Sequence, residues 1–208
     1  MNNLNPNQTT INSYNNNAQA YIKNTPQQYG ESHQPLLEWL NTALGMISTQ
    51  DPILELGSAV PRDAKYIQSR GFTIQCSDAT PAFVENLKSN GLDAIQLDII
   101  NDKITGTYSL ILANAVVSHF TEVDLKSALQ NIYEGLDANG IFAFSAKQGD
   151  GETWIHEKMI QERYIRYWQP PQLTTLLEES GFKVVYLKSG SPGSIPGHVL
   201  MHVIAQKI

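Results

Sequence analysis

Residues Glu55–Asp63, "ELGSAVPRD", decide how the whole chain is read. They close a short apolar run, "PIL", with an acid and then a glycine, the pattern of a strand turning into a loop whose backbone can approach a ligand. Loops that hold nucleotides commonly offer further glycines, but here Ala59 and Pro61 stand in those places. The methyl group of Ala59 matters if that residue needs positive φ or if a bound molecule passes within contact distance. Pro61 fits the first position of a following helix, where its fixed φ is helical and its missing N–H costs no intrahelical bond.

Outward from this loop, short apolar runs alternate with helical patterns. "PILEL" (52–56) is followed by a helix from Pro61 to about Arg70, "FTIQCS" (72–77), a helix over Pro81–Ser89, and "DAIQL" (93–97). "YSLILAN" (108–114), a helix from about Glu122 to Leu136, and "GIFAFSAK" (140–147) continue the series. Before the loop, Leu36, Leu37, Leu40, Leu44 and Ile47 predict an amphipathic helix with Pro35 in its first turn. Such alternation predicts βαβ units, and so an α/β fold with a mainly parallel sheet covered by helices on both faces. After a helix over about Pro171–Ser180 the alternation stops. "GFKVVYLKSG" (181–190) and "HVLMHVIAQKI" (198–208) are separated only by "SPGSIPG", too short for a crossover helix, so the last two strands are expected to be antiparallel.

The first 33 residues are rich in Asn, Gln and Thr and poor in aliphatics. Their start is expected to be mobile. Ile11, Tyr14, Ala18, Tyr21 and Ile22 recur at helical spacing, a sparse stripe that needs the main body or a ligand to hold it. The expected division is an arm or lid segment at 1–32 and one domain at 33–208.

With 14 Lys and Arg against 20 Asp and Glu, the net charge of −6 offers no surface to draw in phosphodiester backbones. Nucleic acid is therefore not expected as a partner. Cys76 is the single cysteine and sits in a strand-like run, where it reads as a small buried hydrophobe. No apolar run is long enough for a membrane span and the polar amino terminus does not resemble a signal peptide, so a cytoplasmic location without membrane association is expected. His198 and His202 share one face of a strand but stand too far apart to share a metal, and none is expected.

In doubly wound sheets ligands sit beyond the carboxyl ends of the strands. Asp78 ends the second strand at the distance where an acid accepts hydrogen bonds from ribose hydroxyls, although an acid just before Pro81 also suits a helix cap. Asp98 ends the third, either to accept from an exocyclic amino group or as a solvated strand end. Asn114 and Ala115 end the fourth.

With "ILELGSAVPRD", "CSDAT", "LDI", "SLILANAVVSHF" and "LDANGIFAFSAKQGDGE" in this order, residues from about 11 to 208 resemble the class I S-adenosylmethionine-dependent methyltransferases. The resemblance implies a three-layer αβα Rossmann-like fold whose seven-stranded sheet carries one reversed strand near its carboxyl end. It implies S-adenosylmethionine as cofactor and a small-molecule acceptor. It places Glu55 near the methionyl amino group, Gly57, Ser58 and Ala59 with their backbone against the cofactor, Asp78 on the ribose, and Ala79 beside the adenine. Asp98 and Ile99 would hold the adenine amine and flank its ring, and Asn114 and Ala115 would floor the site near the sulfonium. Arg62 would meet the methionyl carboxylate or pair with Asp63. "YNNNAQAYIKNT" resembles the lid segment of small members, putting Tyr21 on the cofactor and Tyr14 on the acceptor side.

Methyl transfer needs alignment more than a base. If the acceptor must lose a proton, His119 is the best placed base; otherwise it closes an apolar segment. "KQGDGE" and "ERYIRYW" bring Lys147, Glu152, Arg163 and Tyr164 toward a polar, small acceptor. The fourth strand's "ANAV" lacks the pattern of enzymes that methylate base amino groups. Two other readings remain: a methyltransferase-like domain without activity, suggested by Ala59 and Pro61, and a nicotinamide-dependent oxidoreductase, which would leave the terminal hairpin unexplained.

Overall fold

The computed structural model describes residues 5–30, 33–156, 161–192 and 199–208; His198 lies outside them. In chain order the elements are helices α1 (Pro6–Asn16), α2 (Ala18–Asn24) and α3 (Gln34–Leu44), strand β1 (Ile53–Leu56), α4 (Arg62–Ser69), β2 (Ile74–Asp78), α5 (Pro81–Ser89), β3 (Ala94–Gln96) and β4 (Tyr108–Ala113). A 3-10 turn at Val117–His119 precedes α6 (Glu122–Gly135), β5 (Leu136–Lys147), β6 (Glu152–Ile155), β7 (Arg163–Arg166), α7 (Pro170–Glu179), β8 (Phe182–Pro192) and β9 (Val199–Lys207). Seven strands form one sheet in the order β3-β2-β1-β4-β5-β9-β8, parallel from β3 to β5, with β9 antiparallel to both its neighbours. This is the doubly wound architecture expected from the sequence, with the terminal hairpin and its single reversed strand.

Both faces of the sheet are buried, as parallel sheets require. Along β1, Leu54 and Leu56 pack toward α6 and α7, while Ile53 packs toward α3, α4 and α5. β4 and β5 repeat the division, Ile111 and Phe142 facing one way and Leu112 and Ile141 the other. Local chemistry fixes several helix starts. Thr121 and Asp124 cap α6 reciprocally, and Pro6, Pro81 and Pro170 occupy first-turn positions where no donor is lost.

Some details differ from expectation. Pro61 is not inside α4 but caps it, with φ −72°, its carbonyl accepting from the Lys65 N–H at 2.9 Å. The arm is two helices broken at Asn17, and α1 buries Thr10 and Ser13 beside the apolar stripe. Ile11, Tyr14 and Tyr21 of that stripe face the main body and Ala18 is buried, so the periodicity marks the contact face and the polar residues extend it. The stretch around "KQGDGE" and "ERYIRYW" contains a second, two-stranded sheet, β6 with β7, which the strand-helix alternation does not mark.

Candidate functional site

A cavity of about 230 Å³ opens at the carboxyl ends of β1 to β5 and is covered by α1 and α2. Its first wall is the loop after β1. Gly57 has φ +65°, and a Cβ there would stand 2.4 Å from Val116 Cγ2, so only glycine lets the loop run this close to the turn after β4. Ala59 also has positive φ, +47°, so the position that lacks a glycine nevertheless takes the left-handed conformation. Its N–H donates to Asp78 Oδ2 at 3.0 Å, and the Thr80 N–H donates to Asp78 Oδ1 at 2.8 Å. Thr80, not Asp78, stands at the capping position of α5. An ionised carboxylate offers about four acceptor sites, so the two backbone donors and the Thr80 side chain leave Asp78 with some capacity toward the cavity it lines. Burial raises its pKa to about 6, moderated by those two backbone donors.

Asp98 also lines the cavity, two residues beyond β3. Its Oδ2 accepts from Asn7 Nδ2 and from Asn101 Nδ2, both at 2.8 Å, and Oδ1 accepts from the Ile100 N–H at 3.2 Å. Asn114 is fixed from two sides. Its Nδ2 donates to Asp63 Oδ2 at 2.7 Å, and its Oδ1 accepts from Ser145 Oγ at 2.8 Å. Ser145 Oγ in turn accepts from the N–H of Ala115, which has φ +62°. The other oxygen of Asp63 accepts from Arg62 Nε at 2.6 Å. A polar chain thus ties the start of α4 to the ends of β4 and β5 beneath the cavity.

The far wall joins the arm to β7. Arg163 Nη1 donates to Tyr14 Oη at 2.9 Å, and Tyr14 Oη lies 3.0 Å from His119 Nε2. His119 Nδ1 lies 2.9 Å from the Tyr164 carbonyl, which can only accept, so Nδ1 carries the proton and Nε2 takes the Tyr14 hydroxyl proton as a hydrogen bond. Burial, reinforced by the charges of Arg163 and Lys147, lowers the His119 pKa to about 4. Burial drives the Tyr14 hydroxyl upward. Tyr14, Tyr21 and Phe83 pack against one another, edge-on and tilted, in the cavity lining. Further polar fastenings hold the arm: the Tyr164 N–H donates to Thr10 Oγ1 at 3.1 Å and the Ala82 N–H to Asn15 Oδ1 at 3.3 Å.

Of the residues singled out from sequence, Tyr14, Tyr21, Gly57, Ala59, Asp78 and Ala79 line this cavity, together with Asp98, Ile99, Asn114, Ala115, His119, Lys147 and Arg163. Four lie outside its lining. Glu55 is buried behind the loop, its Oε2 accepting from Cys76 Sγ at 3.8 Å, and burial beside Asp63 holds it well above the usual carboxylate range. Ser58 turns inward too, its N–H donating to the Ser77 carbonyl at 2.9 Å. Arg62 is taken by Asp63 and lies 5.0 Å from the Tyr29 ring centre. Tyr164 offers the cavity wall only its carbonyl. Alternation along β7 points Arg163 and Ile165 inward and the Tyr164 hydroxyl outward, where it donates to Glu152 Oε2 at 2.6 Å. Sequence reasoning missed Asn7, Thr80, Phe83 and Ser118. Among the described residues no group of His, Cys, Asp and Glu could hold a metal ion, and no helix is long and apolar enough to cross a membrane.

A family model described as a methyltransferase domain matches residues 24–187. No curated protein sequence matches the chain. Among solved structures, the fold is similar to that of magnesium protoporphyrin IX methyltransferase from Synechocystis PCC 6803 with bound S-adenosylmethionine, with TM-score 0.73 and 9% identity over 100% of both chains. It is similar to 1,6-didemethyltoxoflavin-N1-methyltransferase of Burkholderia thailandensis, solved with its didemethyltoxoflavin and S-adenosylhomocysteine. There the TM-score is 0.70 and the identity 18% over 97% of this chain and 86% of that one. A glycopeptide N-methyltransferase gives TM-score 0.69 and 16% identity over 86% and 92%. At such identities the likeness concerns the fold.

Proposed function

The chain belongs to the methyltransferase-domain family, and from that membership we propose that it moves a methyl group from S-adenosylmethionine to a small-molecule acceptor. The observation that carries the reading is the buried Asp78 carboxylate, held by two backbone donors and the Thr80 side chain and facing the cavity with acceptor capacity left for a ribose hydroxyl. The residues suit the cofactor in other respects. Gly57 keeps the loop open where a side chain would collide, Ala79 and Ile99 offer apolar surface to a ring, and Asp98 Oδ1 retains room for a further donor. The cofactor supplies an electrophilic methyl on a positively charged sulfur. The protein's part is alignment. Asn114 and Ala115 floor the site, the arm at 1–32 acts as a lid on the domain at 33–208, and Tyr14, His119, Lys147 and Arg163 hold the acceptor's polar end. His119 acts there through Tyr14, whose hydroxyl it orients.

Structural neighbours that methylate a toxoflavin precursor and magnesium protoporphyrin support a small acceptor, and the net charge of −6 speaks against nucleic acid. A cytoplasmic setting belongs to the same reading. Ala59 takes the glycine-like conformation despite its methyl group, which favours an intact cradle over a decayed one.

The test is calorimetric titration of the full chain with S-adenosylhomocysteine. Micromolar binding is expected, and a hundredfold excess over Kd should stabilise the fold by about 2.7 kcal/mol, seen as a rise in Tm. Asp78→Ala should abolish binding, and Asp78→Asn, which can still accept one backbone N–H, should weaken it without unfolding. Absence of any shift at millimolar ligand in the parent would overturn the proposal.

A further inference from the structure

Within the buried run Ile141–Ala146 of β5, Ser145 is the one polar side chain. Alanine stands at 143 and 146, so this part of the strand packs with small side chains that carry no hydroxyl, and a hydroxyl taken out of water costs stability unless it is bonded. Ser145 is fully buried and its Oγ is bonded twice, donating to Asn114 Oδ1 and accepting from the Ala115 N–H, each at 2.8 Å. Both partners lie in the turn after β4, and both line the cavity. His202, paired opposite Ser145 on β9, makes no hydrogen bond among the described residues. The hydroxyl thus serves the cavity floor and not the sheet.

The bonds beneath the floor run in one sense. Arg62 Nε can only donate, and the Asp63 carboxylate accepts it on Oδ1 and Asn114 Nδ2 on Oδ2, which turns Asn114 Oδ1 toward Ser145. The Ser145 proton is then committed to Asn114, and its oxygen is left to accept from Ala115. Ala115 stands at φ +62°, a conformation unfavourable to an L-residue that persists where its surroundings impose it. The next residue, Val116, lies so close to Gly57 that a Cβ there would come within 2.4 Å of it. A change at Ala115 is therefore passed to the loop after β1.

Resting on the reading that S-adenosylmethionine binds here with its sulfur over this floor, we propose that Ser145 is a positioning residue for methyl transfer. Its hydroxyl fixes the Asn114 amide and the left-handed turn at Ala115, and with them the level of the floor under the methionyl chain and the sulfur. Such a transfer depends on alignment, and a displacement of about 1 Å can cost about 100-fold in rate. Without the hydroxyl, Asn114 Oδ1 and the Ala115 N–H each lose a buried partner, and Ala115 relaxes toward negative φ, moving Val116 against the loop.

The test is calorimetric titration of the full chain with S-adenosylhomocysteine and with adenosine. Adenosine carries the ribose and base assigned to Asp78 and Asp98 and lacks the methionyl chain over the floor. Ser145→Ala is expected to weaken S-adenosylhomocysteine about tenfold, as loss of a buried hydrogen-bond partner does, and to leave adenosine binding unchanged. Ser145→Thr, which keeps the hydroxyl, should restore the affinity. In an Asn114→Ala background Ser145→Ala should weaken S-adenosylhomocysteine by less than in the parent, since both act on one floor. A further readout needs no variant to fold: in the parent, the Ala115 amide resonance should shift more on adding S-adenosylhomocysteine than on adding adenosine. The proposal is overturned if Ser145→Ala binds S-adenosylhomocysteine as the parent does or loses adenosine in equal proportion, or if the Ala115 resonance answers both ligands alike. A parent that does not bind S-adenosylhomocysteine would instead sink the cofactor reading and this proposal with it.

Discussion

Gly57→Ala tests whether the loop after β1 is held where the cavity needs it. At φ +65° an L-residue costs about 1–2 kcal/mol. The new Cβ would lie 2.4 Å from Val116 Cγ2, and relieving such an overlap in a packed site costs about 1–3 kcal/mol. A stiffer unfolded chain returns about 0.4–1 kcal/mol. The net loss is about 2–4 kcal/mol, which at about 2–4 °C per kcal/mol for a chain of this length lowers the Tm by about 5–15 °C. Val116→Ala removes Cγ2, and the remaining Val116 Cβ, at 3.6 Å, is an ordinary contact. The double variant should therefore recover the steric part, a favourable coupling of about 1–3 kcal/mol in a double-mutant cycle followed by chemical denaturation. A Gly57→Ala protein melting within about 2 °C of the parent would refute the reasoning. So would a double variant that loses the full sum of its two single changes.

Ala59→Gly should be neutral or stabilising by up to about 1 kcal/mol, because relief at φ +47° outweighs the added unfolded-state entropy. Thermal denaturation checks it, and a clear destabilisation would show that the methyl group packs usefully. His202 is buried against Trp39, both ring nitrogens lack a hydrogen-bond partner among the described residues, and burial followed by the nearby Lys188 lowers its pKa to about 4. The unfolded chain, with a histidine pKa of about 6.5, then binds more protons as pH falls below that value, so stability drains from about pH 6.5 down to about 4. His119 has the same sign, while Asp78 and Glu55, raised by burial, have the opposite one. The stability difference between the parent and His202→Leu isolates the effect, and urea unfolding from pH 7 to pH 4 should show the parent losing up to about 3 kcal/mol relative to the variant.

The mainly parallel sheet and its antiparallel terminal pair were legible because β strands here obey local rules: apolar runs, turn residues and a connection too short for a helix; the strand order is set by tertiary packing and was not. The cavity wall beyond β2, β3 and β4 was legible for the same reason, since Asp78, Asp98 and Asn114 stand at strand ends that the alternation already marked. The polar wall was legible only as a set of residues. Tyr14 and His119 are 105 positions apart, and no pattern along the chain foretells their hydrogen bond. β6 and β7 were missed because each is four residues long and rich in charge, although the period-two contrast between Arg163 with Ile165 and Tyr164 with Arg166 was there to be read. Arg62 had two open partners, and proximity to Asp63 along the chain decided it. Glu55 looked like a ligand residue because it ends an apolar run. Its place one position before a strand-to-loop turn puts its side chain on the face of β1 that packs beside Cys76, behind the loop.

The arm over the cavity is fastened by Asn7, Thr10, Tyr14 and Asn15 to a carboxylate, a histidine, an arginine and two backbone N–H groups. The same cover lays Tyr14 and Tyr21 on Phe83 and buries Ala18, so it hides hydrocarbon as well as polar pairs. Lifting it exposes both, and the rise in heat capacity from the apolar area is partly cancelled by the polar groups set free. Opening then becomes more endothermic on warming, and cooling weakens the apolar share of the hold while leaving the polar pairs in place.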